Sequence, residues 1–260
     1  MDQNGRAAPE TVFSARSKFY VTSALHTDPE VLANVVRMAA PERSMIALDI
    51  GTGTGHTAIA MAPHVSKVVA LDLTEEMLYE GRKLCAEKGI LNVEFRKGDA
   101  MGLPFSDGTF DIVTCRRAAH HFSDITKAVG EMGRVLCPGG RLIIDDRSVP
   151  EDDEVDEAMN HLDILHDPSH VREYRASEWS KMLGRAGLAV GELTEYRKRV
   201  PMSRFTEVVS EETSKEMYDY LYARSPRCKW LLNFEDEDGG VSIDHFFVMM
   251  RADKVRKASL

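Results

Sequence analysis

Three glycines in alternate positions, in Leu48-Asp49-Ile50-Gly51-Thr52-Gly53-Thr54-Gly55-His56, follow one apolar run and open a helix-forming stretch. A backbone that must turn sharply and bring its amides against a ligand needs glycine, because any side chain would stand where the ligand goes. Strand, glycine turn and helix make the first half of a βαβ unit, and the chain continues in that rhythm. Strands are expected at Met45–Ile50, Lys67–Leu71 and Val93–Arg96, with helices at Thr57–Ala62 and Glu75–Lys88 between them.

The runs MIALDI, KVVALDL, FDIVTC and RLIIDD are nearly continuous rather than alternating, as strands buried on both faces require. Upstream, Thr11 to Ala40 has helical spacing broken at Asp28-Pro29, an N-cap followed by proline at the first helical position, so two helices are expected before the sheet. Downstream, Gly139-Gly140 after Pro138 reads as the turn between a helix over Asp124–Leu136 and a strand from Arg141. EDDEVD at 151–156 reads as an acidic helix N-terminus. A helix at Ser177–Ala186, a strand at Ala189–Arg197, a polar helical stretch from Ser203 to Gly240 and a last strand at Ser242–Arg251 complete the chain. The expectation is one domain, 1–260, with residues 1–44 as N-terminal helices over a cofactor and 150–176 and 203–240 as substrate-side insertions.

The glycine spacing separates cofactors. A dinucleotide site wants G-x-G-x-x-G, and the third glycine of that pattern falls on His56 here. The pattern D-x-G-x-G-x-G instead suits the amino-acid end of a cofactor without pyrophosphate, with Asp49 orienting the loop or an ammonium group. Asp72 closes the second strand 17 residues beyond Gly55, where doubly wound sheets place an acid that accepts from ribose hydroxyls.

Bulk composition narrows the partner. The 260 residues carry 33 Lys+Arg against 42 Asp+Glu, a net charge of −9, whose field disfavours a phosphate backbone, so a small molecule is expected rather than nucleic acid. No run approaches the roughly 20 apolar residues of a membrane span, and MDQNGRAAPE lacks the pattern of a signal peptide, so a cytoplasmic protein is expected. Cys85, Cys115, Cys137 and Cys228 are widely spaced, with no C-x-x-C pair, and read as reduced thiols.

Together these residues resemble the class I S-adenosylmethionine (SAM)-dependent methyltransferases, and within them the bacterial branch of ubiquinone/menaquinone biosynthesis C-methyltransferases. The resemblance covers roughly residues 13 to 200. It implies a Rossmann-like, doubly wound, seven-stranded and mostly parallel sheet with an antiparallel last strand and helices on both faces. It also implies that LDIGTGTG meets the methionine end of SAM and Asp72 the ribose, that Leu73 and Met77 cover the adenine, and that Asp99 and the Ala100 amide hold the adenine edge. FSARSKFYVTS, with Tyr20 and Ser23, resembles the helix that folds over the cofactor. The expected product is S-adenosylhomocysteine (SAH), and the acceptor atom is carbon or oxygen, less readily nitrogen, of a small molecule. A SAM-binding protein with non-methylating chemistry, or a SAM sensor, is the alternative; the oligomeric state is left at monomer or homodimer.

Ligands of open α/β sheets bind beyond the carboxyl ends of the strands, so Arg116 to Phe122 should face the reacting centre. His120 and His121 are therefore candidates for a catalytic base, or for structural hydrogen bonders. Arg116 is assigned to the cofactor and Arg117 to a substrate carboxylate, the competing reading being pairs with surface acids. Asp167-Pro168-Ser169-His170 reads as a turn over the substrate, with His170 or Arg172 touching it. No metal is expected there: Pro168 breaks the i, i+4 relation of His166 and His170, and no H-E-x-x-H is present. Tyr79 to Lys83 spells the Y-x-x-x-K of short-chain dehydrogenases, but on the helix after the second strand, away from where that chemistry is done.

Overall fold

The computed structural model describes residues 9–237 and 240–255; the rest of the expected 1–260 domain lies outside the described residues. The N-terminal segment forms three helices rather than two: α1 (Pro9–Thr22), α2 (Ala24–Thr27) and α3 (Pro29–Ala39). Ser23 leaves helical geometry between the first two. Asp28 caps α3 by accepting from the amides of Glu30 and Val31, with Pro29 in the first turn, as the sequence predicts.

The alternation that follows is β1 (Ile46–Ile50), α4 (His56–Met61), β2 (Lys67–Asp72), α5 (Glu75–Glu87), β3 (Val93–Lys97), β4 (Phe110–Arg116), α6 (Ile125–Val135) and β5 (Leu136–Val149). Beyond it lie α7 (Asp153–His166), β6 (Tyr174–Arg175), α8 (Ala176–Arg185), β7 (Leu188–Pro201), α9 (Ser203–Thr206), α10 (Glu211–Tyr222), α11 (Pro226–Leu231), β8 (Glu235–Glu237) and β9 (Gly240–Lys254). Seven strands run in the order β3-β2-β1-β4-β5-β9-β7, with β6 on β5 and β8 on β9 as short additions. β1 to β5 pair in parallel, and the last strand, β9, is antiparallel to both β5 and β7. The expected architecture is therefore present, enlarged by two short strands. The pairing of β5 with β4 reaches back to Leu136, five residues before the expected start, with Pro138-Gly139-Gly140 taken up in a register shift.

The continuous apolar runs are explained by packing on both sheet faces. Leu48, Val69, Val113, Leu142 and Val248 meet α6 and α8, burying Val129, Met132, Trp179 and Leu183. Their neighbours Ala47, Val68, Ile112, Ile143 and Met249 point the other way, towards Val31, Val35 and Met38 of α3 and Ala58 and Met61 of α4. Within the stretch expected to be helical, α9, α10 and α11 form as expected but β8 is a strand, and the stretch is not polar throughout. Phe205, Met217, Leu221, Cys228 and Leu232 join Val155, Met159 and Leu162 of α7 and Ile243 of β9 in a third apolar cluster, which fixes α7 beside the sheet. The four cysteines are free thiols.

Candidate active site

The order β3-β2-β1-β4-β5 sets the order of the residues that follow each strand along the carboxyl edge of the sheet. Asp99 follows β3, Asp72 ends β2, the glycine turn follows β1, and Arg116 to Ser123 leave β4. Asp99, Asp72, Gly51, Gly53, Arg116 to Ala118 and His121 to Ser123 line one cleft of about 290 Å³, at the small end of the range for ligand pockets, roofed by Phe13 and Tyr20 of α1.

The glycine turn is left-handed at Gly51 (φ 61°), Gly53 (φ 55°) and Gly55 (φ 86°), a geometry that other residues adopt only with strain. At Gly51 a Cβ would also run into the Cβ of Ala118, whereas at Gly53 it would meet nothing within 4 Å and would stand in the open cleft. Gly55 does not line the cleft; it caps α4. Asp49, 1% exposed, sits beneath the turn and accepts from the hydroxyls of Thr52 (2.5 Å) and Thr114 (2.6 Å). Of the two roles expected for it, orienting the loop matches these bonds; direct ligand contact does not, because Asp49 is absent from the cleft wall. Burial pushes its carboxyl up to about 6.

Asp72 joins the two halves of the cradle. One carboxylate oxygen accepts from the Gly53 amide (2.8 Å) and the other from the Thr74 amide (2.9 Å), and burial raises its pKa. Each oxygen keeps a further lone pair for a ligand hydroxyl. Leu73, Met77, Asp99 and Ala100 complete this wall, with Asp99 already accepting from the Met101 amide at 2.8 Å. Tyr20 hangs from the roof against His26, ring centroids 4.8 Å apart, and burial pushes its phenol up to about 12.

At the other end Arg116, 7% exposed, donates from Nε to the Thr57 hydroxyl (2.9 Å) and from Nη2 to the His26 carbonyl (2.7 Å). Its Nη1 has no partner among the described residues although the side chain lines the cleft. A buried guanidinium donor without a mate fits an anionic ligand group such as the carboxylate of a methionine moiety. SAM thus fits the residues present: an open cradle at Gly53, an acid for hydroxyls at Asp72, and an orphan cationic donor at Arg116.

The histidine pair divides. His121 lines the cleft, edge-on to Phe13 (4.9 Å), with Nδ1 at 3.2 Å from the Ser169 carbonyl. His120 is withdrawn behind it: the ring is buried, Nδ1 meets Asp146 at 2.5 Å, and its amide also donates to Asp146 at 3.1 Å. Burial depresses the His120 pKa well below the ordinary value, so the ring is neutral. His120 thus lies behind His121, its Nδ1 held by Asp146 and its ring not on the cleft wall, so it is His121 that the structure brings to the cleft.

The substrate-side candidates divide as well. Arg117 borders the cleft, but its guanidinium is held by Asp145 (3.2 Å), the Tyr196 hydroxyl (2.8 Å) and the face of Phe247 (3.8 Å). Arg172 pairs with Asp156 (3.0 Å) and Glu178 (3.2 Å), and His170 faces Asn160 (3.2 Å); neither lines the cleft. The chain turns at Pro168-Ser169, and it is Ser169 and Val171 that reach the cleft. No described residue of 203–240 lines it. Phe122 falls in the Arg116–Phe122 stretch expected to face the reacting centre and Phe13 opens the stretch expected to cover the cofactor, whereas sequence reasoning missed His26, which no motif sets apart. No cluster of three metal-ligating side chains occurs among the described residues.

A doubly wound sheet of this order, with a three-glycine turn after β1 and an acid at the end of β2, defines the class I SAM-dependent methyltransferase architecture. Comparison with known proteins agrees. Residues 48–144 match the family described as "Methyltransferase domain". The chain is 43% identical over 187 residues to the uncharacterized methyltransferase YcgJ of Bacillus subtilis, covering 72% of this chain and 74% of that protein. The crystal structure of YcgJ superposes with a TM-score of 0.83 over 87% of this chain and 98% of YcgJ, at 35% identity. A demethylmenaquinone methyltransferase of Deinococcus radiodurans is 43% identical over 100 residues, 37% of this chain and 41% of that protein. The chain belongs to the SAM-dependent methyltransferases.

Proposed function

We propose that the methyl acceptor is a small, uncharged organic molecule and that the methyl group goes to a carbon or an oxygen whose proton is taken by His121. The observation that carries this is His121 itself. A carbonyl oxygen only accepts, so the 3.2 Å approach to Ser169 supports a ring proton on Nδ1 with the Nε2 lone pair free. Nε2 makes no hydrogen bond to a described residue and is not among the buried unpartnered atoms, so it is open to a ligand.

The surroundings of His121 support an uncharged acceptor. Phe13, Ala118, Phe122 and Val171 supply apolar wall, while Arg117 and Arg172 are both neutralised by acids and offer no clamp for a carboxylate. SAM, when bound, supplies an electrophilic methyl group on sulfur, so the protein has to align two atoms and accept one proton. The turn at Gly51–Gly55, Asp72 and Arg116 would fix the cofactor, α1 would exclude water from above, and His121 would hold the acceptor's proton at Nε2. Relatives named ubiquinone/menaquinone biosynthesis C-methyltransferase, 38% identical over 44% of this chain in Teredinibacter turnerae, favour carbon as the atom to test first.

The test is incubation with methyl-labelled SAM and a fractionated metabolite extract. Label entering an uncharged metabolite, lost in His121→Asn, is the expected result. SAM binding without SAH formation in any fraction, or label entering only nucleic acid, would overturn it.

A further inference from the structure

The free nitrogen of His121 depends on what holds the other one. After α7 the chain turns through Asp167-Pro168-Ser169, and Asp167 Oδ1 accepts both the Ser169 amide (2.8 Å) and the Ser169 hydroxyl (2.6 Å). The Ser169 hydroxyl also lies 3.2 Å from His121 Nδ1. A carboxylate at 2.6 Å takes the hydroxyl hydrogen in preference to a ring nitrogen at 3.2 Å, so towards His121 the hydroxyl oxygen acts as acceptor. Ser169 therefore presents two acceptors to one nitrogen, its carbonyl and its hydroxyl, both at 3.2 Å.

We infer that Asp167 is a positioning residue: through Ser169 it holds His121 in the Nδ1–H tautomer and keeps Nε2 as the ring's free nitrogen in the cleft. This rests on the reading of His121 as the base, and extends it to two residues that touch neither cofactor nor reacting atoms in that role. Although burial opposes ionisation of Asp167, the His121 ring and the two Ser169 bonds hold its carboxyl below the ordinary value, so it is charged near neutral pH. Arg16 of the roof helix α1 stands 4.0 Å from the other carboxylate oxygen, so the same aspartate is also in contact with the element that covers the cleft.

Arg147, Asp163, Glu173 and His245 form a buried polar cluster with several unpartnered atoms, but Arg147 lies 2.8 Å from Asp163 and 2.5 Å from Glu173, and none of the four lines the cleft. The His121–Ser169–Asp167 chain, by contrast, begins at the cleft wall and has each hydrogen assigned.

The test reads the ring directly and needs no acceptor. Histidine-labelled protein saturated with SAH is studied by long-range proton–nitrogen correlation, with His121 assigned by its absence in His121→Asn. The wild-type ring should show a protonated Nδ1 and a bare Nε2. Asp167→Ala, which removes both bonds that hold the turn against the ring, should move both nitrogens towards the average of the two tautomers, and Ser169→Ala, which keeps the carbonyl and the Asp167 bond to the amide at 169, should move them the same way by less. SAH affinity should remain within about twofold in both variants, a change too small to signal loss of the fold. An Nε2-protonated ring in the wild type, or unmoved resonances in both variants, would overturn the assignment. Unimpaired turnover of His121→Asn would instead remove the base while leaving the tautomer result standing, so the two failures are distinct.

Discussion

The amide of Gly53 donates to the carboxylate of Asp72 across 2.8 Å, so the glycine turn after β1 and the acid at the end of β2 are one construction rather than two adjacent motifs. Replacing Asp72 with alanine removes the ribose acceptor and the partner of that amide together. Hydrogen bonds to a charged group contribute about 1.5–3 kcal/mol, so Asp72→Ala should weaken SAM binding about ten- to a hundredfold. Asp72→Asn, which keeps one carbonyl oxygen for the Gly53 amide, should lose less. Calorimetry decides: unchanged affinity in both variants would detach Asp72 from the cofactor.

Arg116 allows a sharper comparison, because its unpartnered Nη1 is assigned to a carboxylate and to nothing on the adenosine side. Arg116→Met should reduce affinity for SAH by about ten- to a hundredfold, the worth of a charge-assisted bond. Binding of 5′-methylthioadenosine, which has no carboxylate, should change far less. Equal losses for the two ligands would mean that Arg116 acts only by holding Thr57 and the His26 carbonyl.

The cradle was legible in the sequence because its chemistry is local: three glycines, an acid beneath them and an acid one strand later occupy 24 residues, and each residue type is dictated by backbone geometry or by hydroxyl recognition. The sheet was legible because burial on both faces leaves continuous apolar runs. The acceptor side was not, for two physical reasons. Which residues of this short irregular loop face the cleft is fixed by the turn at Pro168-Ser169 and by the Val171 and Arg172 amides donating to the distant His120 carbonyl, contacts no local pattern announces, so His170 and Arg172 were expected where Ser169 and Val171 stand. Arg117 looked free because the groups that neutralise it, Asp145, Tyr196 and Phe247, lie on three other segments, Tyr196 being 79 residues away. Residues 203–240 looked polar for a related reason, since their few apolar side chains are gathered into one cluster with distant residues of α7 and β9.

The two adjacent histidines should separate cleanly on substitution. His121→Asn removes a general base, an effect of roughly 10²–10⁴-fold on turnover, and leaves the core intact. His120→Ala leaves the buried Asp146 carboxylate short of a partner, at a cost of about 1–3 kcal/mol. For a domain of this size that lowers Tm by roughly 2–4 °C per kcal/mol. Turnover at saturating SAM and thermal unfolding, measured on both variants, should give opposite patterns; a larger rate loss in His120→Ala at unchanged Tm would reverse the assignment.

Stability should carry the mark of a buried neutral histidine at 170. Burial is the main cause that lowers its pKa to about 4, with Arg147 and His121 adding to the effect and Asp163 and Asp167 opposing it. The unfolded chain binds a proton at an ordinary histidine value of about 6.5. Between those two values the unfolded state holds one more proton than the folded state, so the contribution of this group is complete above about 6.5 and is lost as pH falls towards 4. Other groups titrate in the same range: buried His26, His120 and His245 act in the same sense, while Asp49, raised to about 6, acts in the opposite one. The measurement is therefore a difference between wild type and His170→Asn, taken from urea unfolding at pH 7.5 and again at pH 5. The wild type's advantage over the variant should shrink at the lower pH with a slope approaching one proton, because only the wild type must take up that proton on unfolding. An advantage that stays constant between the two pH values would show that His170 ionises in the folded protein as readily as in the unfolded chain.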